Sequence, residues 1–239
     1  MNGLGFDFSR RVTRASRHAW NWVARTGKLD ALSEQVGRLT RTTTATGTDS
    51  FAASYTAVHS EPTLFYHSGQ DLVALLLGAN DSADWTVPIL PQASCGMVRF
   101  IENGTLAIAS AGVFYIGLDA ATGARLYIDS TGTQYRLTYH DGSTAVTSTM
   151  SGTAPTAGQL VELRWRLAAD GKVKLWQTIN GGAETAATES GAQALAAAWG
   201  ATTVRLNSVG TANKGNNLFL GAVLDPGDLS IDLLRAAAS

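Results

Sequence analysis

The sequence lacks features that would place it in several common protein classes. It has a single cysteine, Cys95, so no internal disulfide can form and a disulfide-rich secreted scaffold is excluded. No apolar run approaches the roughly 20 residues of a membrane-spanning helix, and no apolar segment follows the N-terminal charges, so we expect neither a membrane span nor a signal peptide. Only 15% of the residues are charged. Small residues and threonine are plentiful instead, which is typical of short strands and turns.

Local motifs for catalysis are also missing. The sequence contains no H-E-x-x-H pair, no Walker loop and no G-x-S-x-G turn. Its four histidines are scattered without the spacing of metal ligands. We therefore expect no enzymatic activity, no cofactor and no metal centre from local motifs.

The net charge of −1 conceals an asymmetry along the chain. Residues 1–41 carry eight Lys/Arg and three acids, whereas residues 42–239 carry ten and sixteen. The basic segment SRRVTRASRHAWNWVARTG predicts a helix from about Ser9 to Gly27. An anchor to an acidic partner surface is our interpretation; the alternatives are an ordinary surface helix, or contact with nucleic acid or a membrane. The candidate anchoring residues are Arg10, Arg11, Arg14, Arg17, Trp20 and Trp22.

A second helical pattern follows in KLDALSEQVGRLTR. Apolar residues step by three, four and three, as in the seam of a coiled coil, at Leu29, Leu32, Val36 and Leu39. Two heptads are too few for an isolated coiled coil, so the alternatives are a helix lying on its own domain and a short oligomer seam, most naturally a trimer. Threonines and glycine then break the pattern. We place a linker at about 40–50 and divide the chain into a helical segment, 1–45, and a sandwich, 46–239.

Beyond the linker, short apolar or alternating segments are separated by turn sequences rich in Gly, Asn and Asp. The turns recur at the spacing that is typical of sandwiches and barrels. The pattern predicts a mainly β protein, an antiparallel jelly-roll β-sandwich with a short N-terminal helical region. Candidate strands include TLAIAS and LSIDLLRA.

The stretch VELRWRLAADGKVKLWQTI predicts a hairpin whose register follows from parity. A two-residue loop would put the apolar residues of the two strands on opposite faces, so we expect a three-residue loop, Ala169-Asp170-Gly171. That loop pairs Leu167 with Val173. It also places Trp165 opposite Leu175 on the core side.

The same register determines which residues lie opposite each other on the outer face of the hairpin. Arg164 lies opposite Trp176, and Arg166 lies opposite Lys174. Like charges directly opposite are unfavourable. Either the face is solvated and a nearby acid such as Glu162 relieves the repulsion, or it is a cationic, aromatic patch for an anionic or sugar partner.

Residues 95–235 resemble the concanavalin A-like lectin/glucanase sandwich, particularly its laminin-G-type version. The resemblance lies in a strand with Trp165, a D-G turn, a strand ending at Asn180-Gly181, and a late strand with G-A-V-L-D. It implies two stacked antiparallel sheets, and many members of the family bind carbohydrate. With a helical N-terminal segment and no signal peptide, the chain is similar to virion proteins of tailed bacteriophages and phage-like particles. Such domains serve there as head spikes, fibres or tail adsorption components.

The resemblance also sets expectations for chemistry. Glycan-cleaving enzymes of this fold carry acids two apart on one strand, and the nearest match here, DLSID, has Asp228 and Asp232 four apart. An active glucanase is therefore not expected. Some laminin-G-type domains bind calcium at their rim, where Asp129 and Asp141 are candidate ligands, but a hard cation needs six or more oxygens.

These observations lead to a functional interpretation. We expect a non-enzymatic virion structural protein, made in the bacterial cytoplasm and displayed on the virion surface as a homo-oligomer. Its expected partners are capsid, portal or tail proteins and a host surface polysaccharide, but not nucleic acid. The alternatives are a decoration or adaptor protein that binds other virion proteins, and a glycan hydrolase with an unrecognised acid pair. The candidate sugar-binding residues are Trp176, Arg164, Tyr139, His140 and Asn180.

Overall fold

The computed structural model describes five parts of the chain in full and six strands as backbone. The fully described parts are residues 93–117, 123–195, 203–208, 215–225 and 230–235, and residues 202, 236 and 237 are described as backbone. The six strands described as backbone span residues 20–23, 46–48, 54–58, 63–67, 72–76 and 82–87. No helix in these parts is long and apolar enough to cross a membrane.

The described strands, numbered β1 to β16 in chain order, form two antiparallel sheets of eight strands each. Sheet A contains β1 (Trp20–Val23), β4 (Thr63–His67), β5 (Leu72–Leu76), β7 (Ser94–Ile101), β12 (Leu160–Leu167), β13 (Val173–Ile179), β14 (Thr185–Ala186) and β16 (Leu218–Asp225). Sheet B contains β2 (Thr46–Thr48), β3 (Ser54–Val58), β6 (Ser82–Val87), β8 (Gly112–Gly117), β9 (Arg125–Ser130), β10 (Tyr135–His140), β11 (Ala145–Thr149) and β15 (Thr202–Leu206). The prediction of a mainly β sandwich is confirmed.

Strand order combines local hairpins with long-range pairing. Sheet A runs β14-β13-β12-β7-β16-β5-β4, with β1 also beside β16, and sheet B runs β11-β10-β9-β8-β15-β6-β3-β2. In the fully described strands, alternate residues point inward and form one apolar core. Within it, the ring of Phe100 lies 5.6 Å from that of Tyr135 and 5.9 Å from that of Phe219.

The segment TLAIAS is not the strand predicted for it. Thr105–Ala107 form a single 3₁₀ turn, held by the buried carboxylate of Glu102. That carboxylate accepts a hydrogen bond from the backbone N–H of Leu106 at 3.0 Å and another from the Tyr135 hydroxyl. Burial raises the pKa of Tyr135 well above its usual value, so the phenol stays protonated and donates. A buried acceptor, rather than local propensity, decides this turn.

The segment LSIDLLRA was also predicted as a strand, and it forms helix α1 (Ile231–Ala237) instead. Ile231 and Leu234 are three residues apart, so they share one face of the helix. That face packs on side chains of the outer surface of sheet A. The covered residues are Cys95, Met97 and Val223.

A buried carboxylate joins α1 to the sheet beneath it. Glu162 of β12 is 3% exposed and accepts hydrogen bonds from Arg99 of β7 at 3.0 Å and from the Nε of Arg235 at 2.9 Å. The guanidinium group of Arg235 also donates through a second nitrogen at 2.5 Å. Glu162 therefore holds the helix against the strands.

The helix predicted from Ser9 to Gly27 is wrong in its second half. Trp20–Val23 form strand β1, which pairs antiparallel with β16, Trp20 opposite Leu224. Aromatic and β-branched residues favour strands, and β16 offers a free edge there to pair with. The remaining residues of the predicted anchor and seam lie outside the described residues: Arg10, Arg11, Arg14, Arg17, Leu29, Leu32, Val36 and Leu39.

Candidate functional site

The β12–β13 hairpin has the register that parity predicted. Leu167 pairs with Val173 and Trp165 with Leu175. The connection is the three-residue loop, with Ala168 N–H donating to the carbonyl of Lys172 at 2.9 Å. Gly171 has a φ of 75°, the left-handed conformation that such a loop needs. The prediction is confirmed, and the two tryptophans of the hairpin lie on opposite faces of sheet A.

Trp165 belongs to the core. It has no exposed surface, and its ring lies 6.0 Å from that of Phe114 across the sandwich. The neighbouring residue on β7 is Gly96, where an added Cβ would come within 2.5 Å of the Trp165 ring. Glycine at this position therefore makes room for the indole.

Trp176, in contrast, lies half-buried on the outer face of sheet A among three cations. The guanidinium carbon of Arg164 is 3.7 Å from the ring centroid, the Nζ of Lys174 is 5.2 Å away, and the guanidinium carbon of Arg166 is 5.9 Å away. All three distances fall within the range of a cation–π interaction. We call these four residues the Trp176 patch.

Two acids after the hairpin neutralise part of the Trp176 patch. Glu184 accepts from Arg164 through both oxygens, at 2.9 and 2.7 Å, and Glu189 accepts from Arg166 at 2.8 Å. The expectation that Glu162 would relieve the repulsion is wrong, because Glu162 binds Arg99 and Arg235 instead. Lys174 has no acidic partner among the residues that the structure describes.

Tyr139 is removed from the set of candidate sugar contacts. Its side chain is fully buried in the core, and its hydroxyl donates to the carbonyl of Ala194 at 3.3 Å. Tyr135, Leu137 and Tyr139 occupy alternate positions of β10 and all point inward. A phenol in the core has no surface to offer a ligand.

His140 and Asn180 lie away from the Trp176 patch. His140 is on the outer side of β10, in the other sheet, and its Nδ1 accepts from Gly142 N–H at 2.9 Å. Burial and the charge of Arg125 lower its pKa. Asn180 is exposed at the end of β13, where its Oδ1 accepts from Leu160 N–H at 2.9 Å. Of the five candidates, the structure brings together Trp176 and Arg164.

The two candidate calcium ligands have other partners. The Asp129 carboxylate is buried and accepts two hydrogen bonds from Arg136, at 3.0 and 2.5 Å. Burial raises the pKa of Asp129, and its ion pair with Arg136 opposes that shift. Asp141 is occupied within its own turn, where it accepts from Thr144 N–H at 2.8 Å and Ser143 N–H at 2.7 Å. In the described parts, no group of three or more His, Cys, Asp or Glu residues could hold a metal ion.

Asp141 gives a prediction about pH. The backbone N–H groups of Thr144 and Ser143 hold the pKa of this carboxyl well below its ordinary value. The carboxylate therefore contributes stability above its unfolded pKa of about 3.9, and that stability is lost as the pH falls through the folded-state pKa. In Asp141→Asn the side chain is uncharged and one oxygen is replaced by an amide that faces the donating amide of Gln193.

We expect the Asp141→Asn variant to melt at a lower temperature than the wild-type protein near neutral pH. The difference should shrink as the pH is lowered from about 5 towards about 2, because the original carboxylate then becomes protonated as well. Thermal unfolding followed by circular dichroism across this range measures it. A difference that stays constant over the range would contradict the assignment.

Comparisons with known proteins support the fold. A scan of protein-family models finds no match, and a search of curated proteins also finds none. Among solved structures, domain 4 of AbnA, a GH43 extracellular arabinanase from Geobacillus stearothermophilus in complex with arabinotriose, aligns with a TM-score of 0.56 at 13% identity. That alignment covers 80% of this chain and 90% of the other. The fold is a β-sandwich.

Two further structures share this architecture. A carbohydrate esterase from the Shiga toxin-encoding bacteriophage phi24B aligns with a TM-score of 0.52 at 12% identity, covering 88% of this chain and 99% of the other. Botulinum neurotoxin type C, whose cell entry depends on two ganglioside molecules, aligns with a TM-score of 0.63 at 9% identity. That alignment covers 95% of this chain and 52% of the toxin chain. At such identities, the likeness shows the fold alone.

Proposed function

We propose that this protein is a non-enzymatic, carbohydrate-binding component of a virion, a head spike, fibre or tail adsorption part. Its N-terminal segment attaches to other virion proteins and forms the homo-oligomer. The Trp176 patch binds a polysaccharide of the host surface. The observation that carries the proposal is the convergence of three cationic side chains on one half-buried tryptophan at an outer sheet face.

The chemistry of the patch suits a sugar. The Arg164 guanidinium stacks on the Trp176 indole, so a pyranose would pack against the exposed part of this stack, and the indole N–H can bond a hydroxyl. Arginine and lysine donate hydrogen bonds to hydroxyl and carboxylate oxygens. The ion pair with Glu184 fixes the Arg164 guanidinium against the ring, so less side-chain entropy is lost when a sugar hydroxyl binds beside it.

The placement of the described carboxylates supports a binding role over hydrolysis. A glycoside hydrolase needs two carboxyl groups flanking the bond that is cleaved. Glu102 is buried against Tyr135 and Glu162 is buried between two arginines. Glu184 is held by Arg164 on the surface. Each of these acids has a structural partner that satisfies it.

Two of the solved structures support the proposal. One was determined in complex with arabinotriose, and another is a carbohydrate esterase from a bacteriophage. Their sandwiches match most of this chain. A phage protein that recognises host carbohydrate through this architecture is consistent with both.

The proposal is tested by glycan binding of two matched aromatic variants. Trp176→Ala should weaken binding on a glycan array by about tenfold or more, the equivalent of about 1.4 kcal/mol. Tyr127→Ala is the control, because Tyr127 is a half-exposed aromatic on the opposite sheet. It should bind as the original chain does. Loss of binding in both variants, or in neither, would contradict the assignment to the Trp176 patch.

A further inference from the structure

We propose that the Trp176 patch selects an acidic polysaccharide, whose anionic groups bind Lys174 and the neighbouring arginines. This inference rests on the proposed function, and it adds the chemical class of the ligand. It depends on three features of the patch: the pairing of like charges, the state of Lys174, and the position of the two acids.

The first feature is the accumulation of positive charge across two strands. Arg166 and Lys174 are directly opposite each other, and Arg164 is opposite Trp176 on the same face. Like charges in opposed positions destabilise a sheet. The patch gathers three cations, two of which are paired with Glu184 and Glu189, whereas residues 42–239 carry ten Lys/Arg against sixteen acids. Cations are thus concentrated at this one place on an acidic body.

The second feature is Lys174 itself. Its ammonium group lies over the Trp176 ring, and no acidic side chain pairs with it in the described parts of the chain. Lys172, two residues earlier on the same hairpin, forms an ion pair with Asp170 at 2.7 Å. An ammonium group has three N–H donors. An anionic group bound at Lys174 would gain both charge pairing and contact with the ring.

The third feature is the geometry of Glu184. It binds Arg164 through two parallel hydrogen bonds, the arrangement in which arginine recognises carboxylates. This shows that a carboxylate fits beside the Arg164–Trp176 stack. A ligand carboxylate would replace Glu184 at the Arg164 guanidinium. Glu184 therefore competes with acidic ligands for Arg164, and it does not compete with neutral ones.

The test uses the full chain and sugars that differ in charge but not in ring structure. The probes are oligogalacturonate and its methyl ester, and dextran sulfate and dextran, with affinities measured by calorimetry. At least one acidic probe should bind about tenfold more tightly than its neutral counterpart. That preference should fall as salt is raised from about 50 to about 300 mM, because exposed charges are screened.

Three variants locate the effect. Lys174→Gln should lower the affinity for the acidic probe by about tenfold and leave the affinity for the neutral probe unchanged. Lys172→Gln is its matched control and should change neither. Glu184→Gln should raise the affinity for the acidic probe several-fold, because it removes the carboxylate that competes for Arg164. Thermal melting of each variant confirms that it is folded.

The outcomes separate this inference from the proposed function. Equal affinity for the charged and neutral probes, or an acidic preference that Lys174→Gln does not reduce, overturns the inference. Weaker acidic binding in Glu184→Gln overturns it as well. If neutral sugars bind and Trp176→Ala abolishes that binding, the proposed function is supported although the inference of an acidic ligand is wrong. If the protein binds neither the glycans of the array nor the four probes, both the proposed function and the inference are wrong.

Discussion

Replacing Trp165 by alanine is expected to lower the free energy of unfolding by about 3 to 5 kcal/mol, the usual loss for a buried tryptophan or phenylalanine. The indole is fully buried, lies 6.0 Å from Phe114 and fills the space beside Gly96. Both sheets contribute to its surroundings, so neither can collapse into the cavity without disturbing the other. Urea unfolding followed by circular dichroism measures the change.

Trp176→Ala is the matched control for this prediction, since it removes the same side chain from the other face of the same hairpin. Trp176 is half-buried, and its principal contact is the stacked Arg164. We expect it to cost about 1 kcal/mol, the scale of an exposed cation–π contact together with some lost packing. Similar losses in the two variants would show that the inward and outward assignments are wrong.

The second large effect is expected at Glu162. Changing it to glutamine keeps the size of the side chain but removes the charge that binds Arg99 and Arg235. Because the carboxylate is buried, we expect the free energy of unfolding to fall by about 3 to 5 kcal/mol, as in other broken buried ion pairs. Helix α1 should detach from sheet A before the rest of the protein unfolds.

Cys95 reports this detachment. The thiol is buried and packs with Leu234 of α1, so its reaction with a thiol reagent should be much faster in Glu162→Gln. Glu189→Gln removes an acid from a more exposed ion pair on the same face and should leave the reaction rate unchanged. An unchanged rate in Glu162→Gln would mean that the ion pairs do not hold the helix.

The sequence predicts the hairpin well because two short-range rules agree there. Alternation marks the faces of each strand, and the parity of the loop allows one register in which both apolar sets meet. The same rule should have excluded one member of the candidate set. Tyr139 and His140 are adjacent on one strand, so their side chains point to opposite faces and they cannot share a site.

The other failures of sequence reasoning involve distant partners. WNWV has the composition of a strand, but the strand that it pairs with, β16, lies near the other end of the sequence. LSIDLLRA alternates weakly, and its helical form is stabilised by Glu162 and the apolar residues around Cys95. Glu184 and Glu189 lie in an irregular segment where no periodicity shows which arginine they will meet.

Strand β16 also has a consequence for how the chain folds. It pairs with β7 along its length on one side, and with β5 and β1 on the other. The middle of sheet A therefore stays open until residue 225 has been synthesised, although most of its neighbours emerge from the ribosome much earlier. Folding of such long-range topologies is slow, and exposed strand edges are prone to aggregate while they wait. The nascent chain is thus an expected client of molecular chaperones.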